Sequence, residues 1–506
     1  MIQWIDDGLN RITMYRLVLY YLLSLLAVAE CLCLLGILPY SPLALPASVA
    51  FLVAVCWASN TVFAKTYQVP VNVEPAYISA LILALIITPL GGLNDLWFLG
   101  WAALWAMASK YILAIDRKHI FNPVAFAVAL TALTLNQTAS WWIGTAPMLP
   151  FVLGGGALVV RKTRRTGLVV SFLGVSLVTT LALAILSRSD LLATLQSTVL
   201  SSPWLFFACV ILTEPLTLPP TTRLQLYEAA LVGFLFAPQL HLGPIYLTPE
   251  LSILVGNVYA YLVSPKGRYI LTLVEKLQIA PDVYDFVFAP DRQFAFAPGQ
   301  YMEWTLAHER ADARGNRRYF TLASSPTEKN LRLGVKFYPR SSSFKQSMLT
   351  MDRNSQIVAS QLSGDFTLPP DPRQKCVFIA GGIGITPFRS MLKYLLDTQQ
   401  RRAIVVFNVN RTAADLVYDD VLHAAQTHLG VKVVNTLTDT RMKPSWWKGR
   451  WGYIDEQLIS EEVPDYRHCV FYLSGPNAMV ESFQRVLARM GLHAWQIKTD
   501  FFPGFA

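Results

Sequence analysis

The chain has 506 residues, too many for one ordinary domain, and its 53% hydrophobic and 15% charged content excludes a fold dissolved wholly in water. The net charge of +9 does not indicate nucleic acid, because the basic residues of the first half fall in short loops between apolar stretches. Six cysteines without a Cys-x-x-Cys or ferredoxin-type spacing argue against a bound iron–sulfur cluster, so no metal site is expected.

A helix that crosses a bilayer needs about 20 mainly apolar residues. Ten candidate spans follow: 15–38, 47–66, 76–92, 97–115, 122–137, 146–160, 167–186, 203–213, 224–240 and 248–263. With the N-terminus inside, Lys65, Arg117, Lys118, the basic run 161–165, Arg223, Lys266 and Arg268 all lie in inside loops. The outside loops carry only Arg188, next to Asp190. Residues 1–265 are therefore predicted to be a polytopic α-helical domain in the cell (inner) membrane, with both termini cytoplasmic. Three strings stand out there: Lys118-His119-Ile120-Phe121-Asn122-Pro123, Gly154-Gly155-Gly156 leading to Arg161, and Thr213-Glu214-Pro215-Leu216-Thr217 leading to Arg223. The third is polar and proline-interrupted at membrane depth, where irregular backbone is tolerated only if buried or lining a cavity.

Residues 266–370 alternate in short β-like runs (VYDFVFAP, QYMEWTLA, LRLGVKFYP) broken by Pro and Gly, which predicts a small antiparallel barrel. One run holds Arg318-Tyr319-Phe320-Thr321. An arginine offers a fork of donors to a pyrophosphate, an aromatic can stack on a flavin, and a hydroxyl can bond its polar edge. Read alone, the same string also fits a strand with an exposed arginine. In 371–506, continuous apolar runs (CVFIA, AIVVFNV, VKVVNTL, CVFYLSG) alternate with helical stretches, predicting an open α/β domain. The first run enters Gly381-Gly382-Ile383-Gly384-Ile385-Thr386-Pro387, a glycine turn opening a helix, as a dinucleotide pyrophosphate requires.

Together these strings resemble the ferredoxin–NADP reductase superfamily across 268–506. The resemblance implies bound FAD and NAD(P)H. Arg318 would hold the FAD pyrophosphate, Phe320 would pack on the isoalloxazine, and Thr321 would lie near its reactive nitrogen. Lys336, Ser341, Ser342 and Ser343 resemble a second FAD segment. Gly381, Gly382, Gly384, Thr386 and Pro387 would receive the dinucleotide. Ser474-Gly475-Pro476 resembles the family's Cys-Gly-Pro element beside the nicotinamide, with serine for cysteine, so Thr321 and Ser474 form the expected catalytic pair. Asp500-Phe501-Phe502 resembles the terminal segment whose aromatic covers the flavin. Arg411 suggests a 2′-phosphate and Asp415 argues the other way, leaving NADH or NADPH open.

The membrane strings resemble, over 75–240, the flavin-bearing membrane subunits of the Rnf complex and the sodium-pumping NADH:quinone reductase. In that family a threonine in a Ser-Gly-Ala-Thr loop carries FMN through a phosphoester. Here the loop reads Trp142-Ile143-Gly144-Thr145, with the threonine one place early and the serine absent. Thr145 is thus a candidate for covalent FMN, with a noncovalent flavin or a plain loop as alternatives. Thr213, Glu214 and Thr217 would line a flavin pocket near the cytoplasmic face, or form a hinge. The implied whole passes electrons from NAD(P)H through FAD into the membrane domain, towards a quinone, an external flavin or another redox protein. A membrane-anchored quinone reductase and a redox-driven ion pump are the alternatives. Only His119 and His241 lie in the first half, too few for paired haem ligands.

Overall fold

Thr13 opens the first long helix by accepting a hydrogen bond from the Arg16 N–H at 3.4 Å, and α1 runs Met14–Leu34. The computed structural model describes residues 5, 8–9, 12–67, 73–115, 118–308, 312, 315–339, 341–439 and 444–500. The chain separates into two compact units, with the break between Ser264 and Pro265.

The first unit continues with α2 (Ala44–Thr66), α3 (Glu74–Ile86), α4 (Asp95–Ile112), α5 (Pro123–Leu135), α6 (Leu149–Thr163) and α7 (Thr166–Leu186). After α8 (Leu191–Leu200), α9 begins at Trp204 and widens into a π turn over Phe207–Ile211; α10 (Thr222–Leu235) and α11 (Pro249–Val263) complete it. Every predicted span contains a helix, but the expected count of ten crossings is corrected. Among the described residues only α1, α2 and α7 are long and apolar enough to cross, or four spans if α8 and α9, bent by 55°, form one broken span. Those three measure roughly 30–35 Å at 1.5 Å per residue, whereas the 13-residue α3 and α5 reach only about 20 Å.

Backbone chemistry ends the shorter helices early. Asn136 and Arg164, each at φ 54°, close α5 and α6 in the left-handed region, and an extended Ile87 stops α3 shortly before Pro89. The carbonyls exposed at the end of α3 are then capped by the 136–145 loop. Trp141 N–H donates to Ile86 O at 2.8 Å, and Trp142 Nε1 donates to Ala84 O and Ile87 O at 3.0 Å each. Irregular backbone inside this unit is thereby satisfied by protein.

The second unit begins with a six-stranded antiparallel sheet: β1 (Arg268–Ala280), β2 (Val283–Pro290), β3 (Tyr301–Thr305), β4 (Arg317–Thr321), β5 (Leu331–Lys336) and β6 (Gln356–Ser363), with α12 (Ser343–Leu349) before β6. Its order is β4-β3-β6-β1-β2-β5. Just past β4, Ala323 N–H reaches Arg332 O at 2.9 Å, so the two edges curl together around a core that includes the wholly buried Trp304. The sheet is a half-barrel.

An α/β layer follows, with β7 (Cys376–Gly381), α13 (Thr386–Asp397), β8 (Ile404–Asn410), α14 (Asp419–Leu429), β9 (Lys432–Leu437), β10 (Arg450–Trp451), α15 (Glu456–Glu462), β11 (Val470–Ser474), α16 (Asn477–Arg489) and β12 (Ile497–Thr499). All pairs are parallel in the order β10-β9-β8-β7-β11-β12. Phe378 on one face of β7 packs towards Phe388 of α13, while Val377 and Ile379 join the opposite cluster with Phe483 of α16. Covering on both faces explains why these strands read as unbroken apolar runs. The order reverses between β7 and β11, where open α/β sheets take their ligands.

Candidate flavin and nucleotide site

The half-barrel presents β4 and α12 side by side. Arg318, largely buried, lies with its guanidinium 5.3 Å from the Phe344 ring centre and 3.6 Å from Asp312. Its Nη1 also donates to Gly315 O at 3.1 Å. Asp312 in turn fastens α12, its carboxylate accepting from Ser343 N at 3.1 Å while its own N–H donates to Ser343 Oγ at 2.9 Å. Ser342 caps the same helix through Lys345 N, Ser341 bonds the backbone of Tyr338, and the Phe320 ring stands 6.1 Å from Phe344. Arg318, Phe320, Ser341, Ser342 and Ser343 thus share one corner. Lys336 turns elsewhere and pairs with Asp415 at 3.1 Å. Burial raises Asp415, but the Thr412 hydroxyl and Lys336 outweigh it and hold the carboxyl below its ordinary value.

The glycine turn after β7 has two functions. A Cβ on Gly381 would run into Met479 and one on Gly384 into the Ser474 carbonyl, while one on Gly475 would meet Met479 and the Gly381 backbone. These glycines let the turns after β7 and β11 touch backbone to backbone. Gly382 differs: at φ +54° its side faces open space, next to Thr386 and Pro387 at the start of α13. That open amide-rich edge fits a pyrophosphate.

Thr321, ending β4, and Ser474, ending β11, meet on one carboxyl. Thr321 Oγ1 donates to Asp500 Oδ2 at 3.2 Å and Ser474 Oγ donates to the same oxygen at 3.1 Å. Burial pushes Asp500 up to about 6, against the pull of the two hydroxyls. The lone acid in an aromatic tail was visible in the sequence, but its partners were not. Phe501, Phe502 and Pro503 lie outside the described residues. Ser324 Oγ, wholly buried beside this seam, makes no hydrogen bond, an orphaned polar atom consistent with a group arriving there.

A buried ionic seam joins the two layers, and it too escaped sequence reading. Arg389 of α13 grips Glu328 at 2.5 and 3.0 Å and donates to Ala323 O at 2.8 Å. Arg332 binds Asp285 at 2.7 Å, and Tyr418 OH donates to Asp285 at 3.1 Å. Burial raises Asp285 despite Arg332; it also opposes ionisation of Glu328, but Arg389 outweighs it and the Glu328 carboxyl falls below its ordinary value.

In the helical unit, two of the sequence strings come together. Glu214 bonds His119 Nε2 at 3.2 Å and accepts from Asn122 Nδ2 at 2.8 Å. Asn122 N–H donates to Asn257 Oδ1 of α11 at 2.7 Å, and the wholly buried Asn257 Nδ2 has no hydrogen-bond partner. Thr213 and Thr217 are buried, but their hydroxyls bond local carbonyls of Cys209 and Glu214. Arg165 donates to Thr213 O. Away from these, Thr145 Oγ1 is buried without a partner, and the neighbouring Gly144 backs directly onto the Ser202–Pro203 peptide.

Residues 378–485 match the family model of the oxidoreductase NAD-binding domain. The chain is 28% identical over 233 residues to the glycine betaine monooxygenase reductase subunit of Chromohalobacter salexigens, covering 44% of this chain and 61% of that protein. It is 27% identical over 256 residues to the xylene/toluene monooxygenase electron transfer component XylA of Pseudomonas putida, covering 50% of this chain and 70% of that one. Among solved structures it is similar to the Amycolatopsis cytochrome P450 reductase GcoB, at 26% identity and a TM-score of 0.42, over 47% of this chain and 71% of that chain. The chain thus spans under two thirds of the length of the first of these relatives. Residues 378–485 therefore form an oxidoreductase NAD-binding domain, within a C-terminal half similar to the reductase components of oxygenases.

Proposed function

We propose that this protein is a membrane-bound flavoenzyme that carries electrons from cytoplasmic NAD(P)H through FAD into its helical unit, and across it to a quinone or an external redox acceptor. The shared carboxyl of Asp500 carries this reading, because it ties the strand end expected to face the flavin to the one expected to face the nicotinamide. FAD, when bound, supplies an acceptor that takes electrons in pairs and releases them singly. Arg318, with Ser341, Ser342 and Ser343, would hold its phosphates and Phe320 would cover its ring. Thr321 and Ser474 fix Asp500, whose carboxyl can hold a proton up to about pH 6. Gly382, Thr386 and Pro387 would receive the dinucleotide, with Gly475 and Pro476 beside its nicotinamide.

A lipid-embedded helical unit is supported by exposed apolar side chains on α5 and α7, and the basic inside loops favour the cell (inner) membrane with both termini cytoplasmic. Leu133 and Leu186 are each 79% exposed and Val178 68%. Side chains this apolar and this exposed favour lipid over water. Since the hydrocarbon layer is about 30 Å thick, a flavin near the outer face needs a relay. The cluster of Glu214, His119, Asn122 and Asn257, with Thr213 and Thr217 alongside, would hold a flavin that serves as this relay, and the orphaned Thr145 hydroxyl would carry FMN as a phosphoester. Acid precipitation of the purified chain followed by mass analysis tests both halves. The reading expects one released FAD and a flavin mass retained on the Thr145 peptide. Absence of any second flavin sinks the transmembrane route, and absence of FAD sinks the whole.

A further inference from the structure

We propose that the β10 edge of the α/β sheet is a docking surface for the anionic headgroup layer of a lipid membrane; this rests on reading the helical unit as lipid-embedded. Trp446 and Tyr453 point outward, 64% and 84% exposed. Trp446, Trp447 and Trp451 form a ladder with ring centres 6.1 and 6.3 Å apart. Trp447 Nε1 is turned inward onto Arg450 O at 3.2 Å, so this ring anchors the ladder and leaves Trp446 outside. Residues 444–454 include no acid, while Lys448 and Arg450 are exposed. The nearby Glu462 is shared by Arg450 at 3.0 Å and Lys432 at 2.7 Å, one carboxylate for two cations. Indole and phenol rings favour the headgroup depth, where an apolar body and a polar tip are both satisfied. Lysine and arginine add attraction to anionic lipid that fades within a Debye length. A surface that joins outward aromatics to Lys448, and to two cations sharing a single carboxylate, matches that layer in both respects.

The test uses the full chain in lipid nanodiscs, in a Cys31→Ser background, with a fluorophore on Ser445→Cys or, as a control, on Leu133→Cys. The lipids are brominated near the headgroup. In discs containing phosphatidylglycerol the Ser445 label should lose roughly half its emission, and the loss should vanish with Lys448→Glu, with Trp446→Ala, or at about 0.5 M salt. Equal quenching in wholly zwitterionic discs overturns the proposal. So does an unquenched Ser445 label while the Leu133 label is quenched, which would leave the edge to a protein partner. An unquenched Leu133 label removes the membrane reading itself, and the proposal with it.

Discussion

Asp500 has its carboxyl raised from 3.8 to about 6 by burial, so the folded chain holds this proton more tightly than the unfolded one. Stability from this group is therefore present below about pH 4 and is lost as pH rises through 6, a change on the order of 3 kcal/mol. Asp500→Asn should raise the melting temperature at pH 7.5 and leave it unchanged near pH 4. The rate of NAD(P)H oxidation should inflect near pH 6 in the native enzyme and lose that inflection in the variant; an unaltered profile would remove the acid from the mechanism. Arg318→Ala should lose FAD, since a pyrophosphate without its charge-assisted donors is weakened by several kcal/mol. Stoichiometric flavin after purification would refute the assignment. The strands that carry Arg318, Thr321 and Ser474 were legible as local patterns, while the roles expected of these residues came from the resemblance alone. The partners Asp500, Arg389 and Glu328 were not, because each pairs with a residue more than 25 positions away.

At the scale of elements, the glycine turn separates packing from binding. Gly384→Ala would drive a methyl into the Ser474 carbonyl, and overpacking of this kind costs about 1–3 kcal/mol. Gly382→Ala meets no neighbour and bears only the left-handed strain, about 1–2 kcal/mol, but places a methyl where the dinucleotide is expected. Thermal unfolding and steady-state kinetics should therefore disagree, with Gly384→Ala the less stable variant and Gly382→Ala the one with the larger rise in KM. Comparable KM values would place the phosphates elsewhere. The parallel strands were legible because burial on both faces abolishes alternation. The short helices were not, because an apolar count does not register where Asn136 or Arg164 adopts a positive φ. The helix α8 was overlooked for the opposite reason: Thr194, Gln196, Ser197 and Thr198 dilute its apolar content, although Asp190 caps it through Leu192 N at 2.8 Å.

At the scale of the whole molecule, charge distribution sets orientation. The exposed Ser140 lies in a loop without charged residues, whereas Thr166 adjoins the basic run 161–165. In intact cells lacking Cys31, a cysteine at Ser140 should react with an impermeant thiol reagent and one at Thr166 should not. The reverse pattern would place Thr145 on the side of the FAD module and favour the anchored quinone reductase.

The ionic seam carries a different consequence, for how the second unit melts. Arg389 to Glu328, Tyr418 to Asp285 and Lys336 to Asp415 all bridge from the α/β layer to the half-barrel, and the first two are largely withdrawn from water. Losing either layer would strand ionised partners in the other, so neither has a cheap way to unfold alone. A fragment beginning at Lys266 should thus give a single calorimetric endotherm whose van't Hoff and measured enthalpies agree. Arg389→Met, which removes the link between the layers and leaves Glu328 to the more distant Arg332 at 3.5 Å, should split that endotherm in two. A native fragment that already melts in two steps would show the seam to be a contact between independent domains.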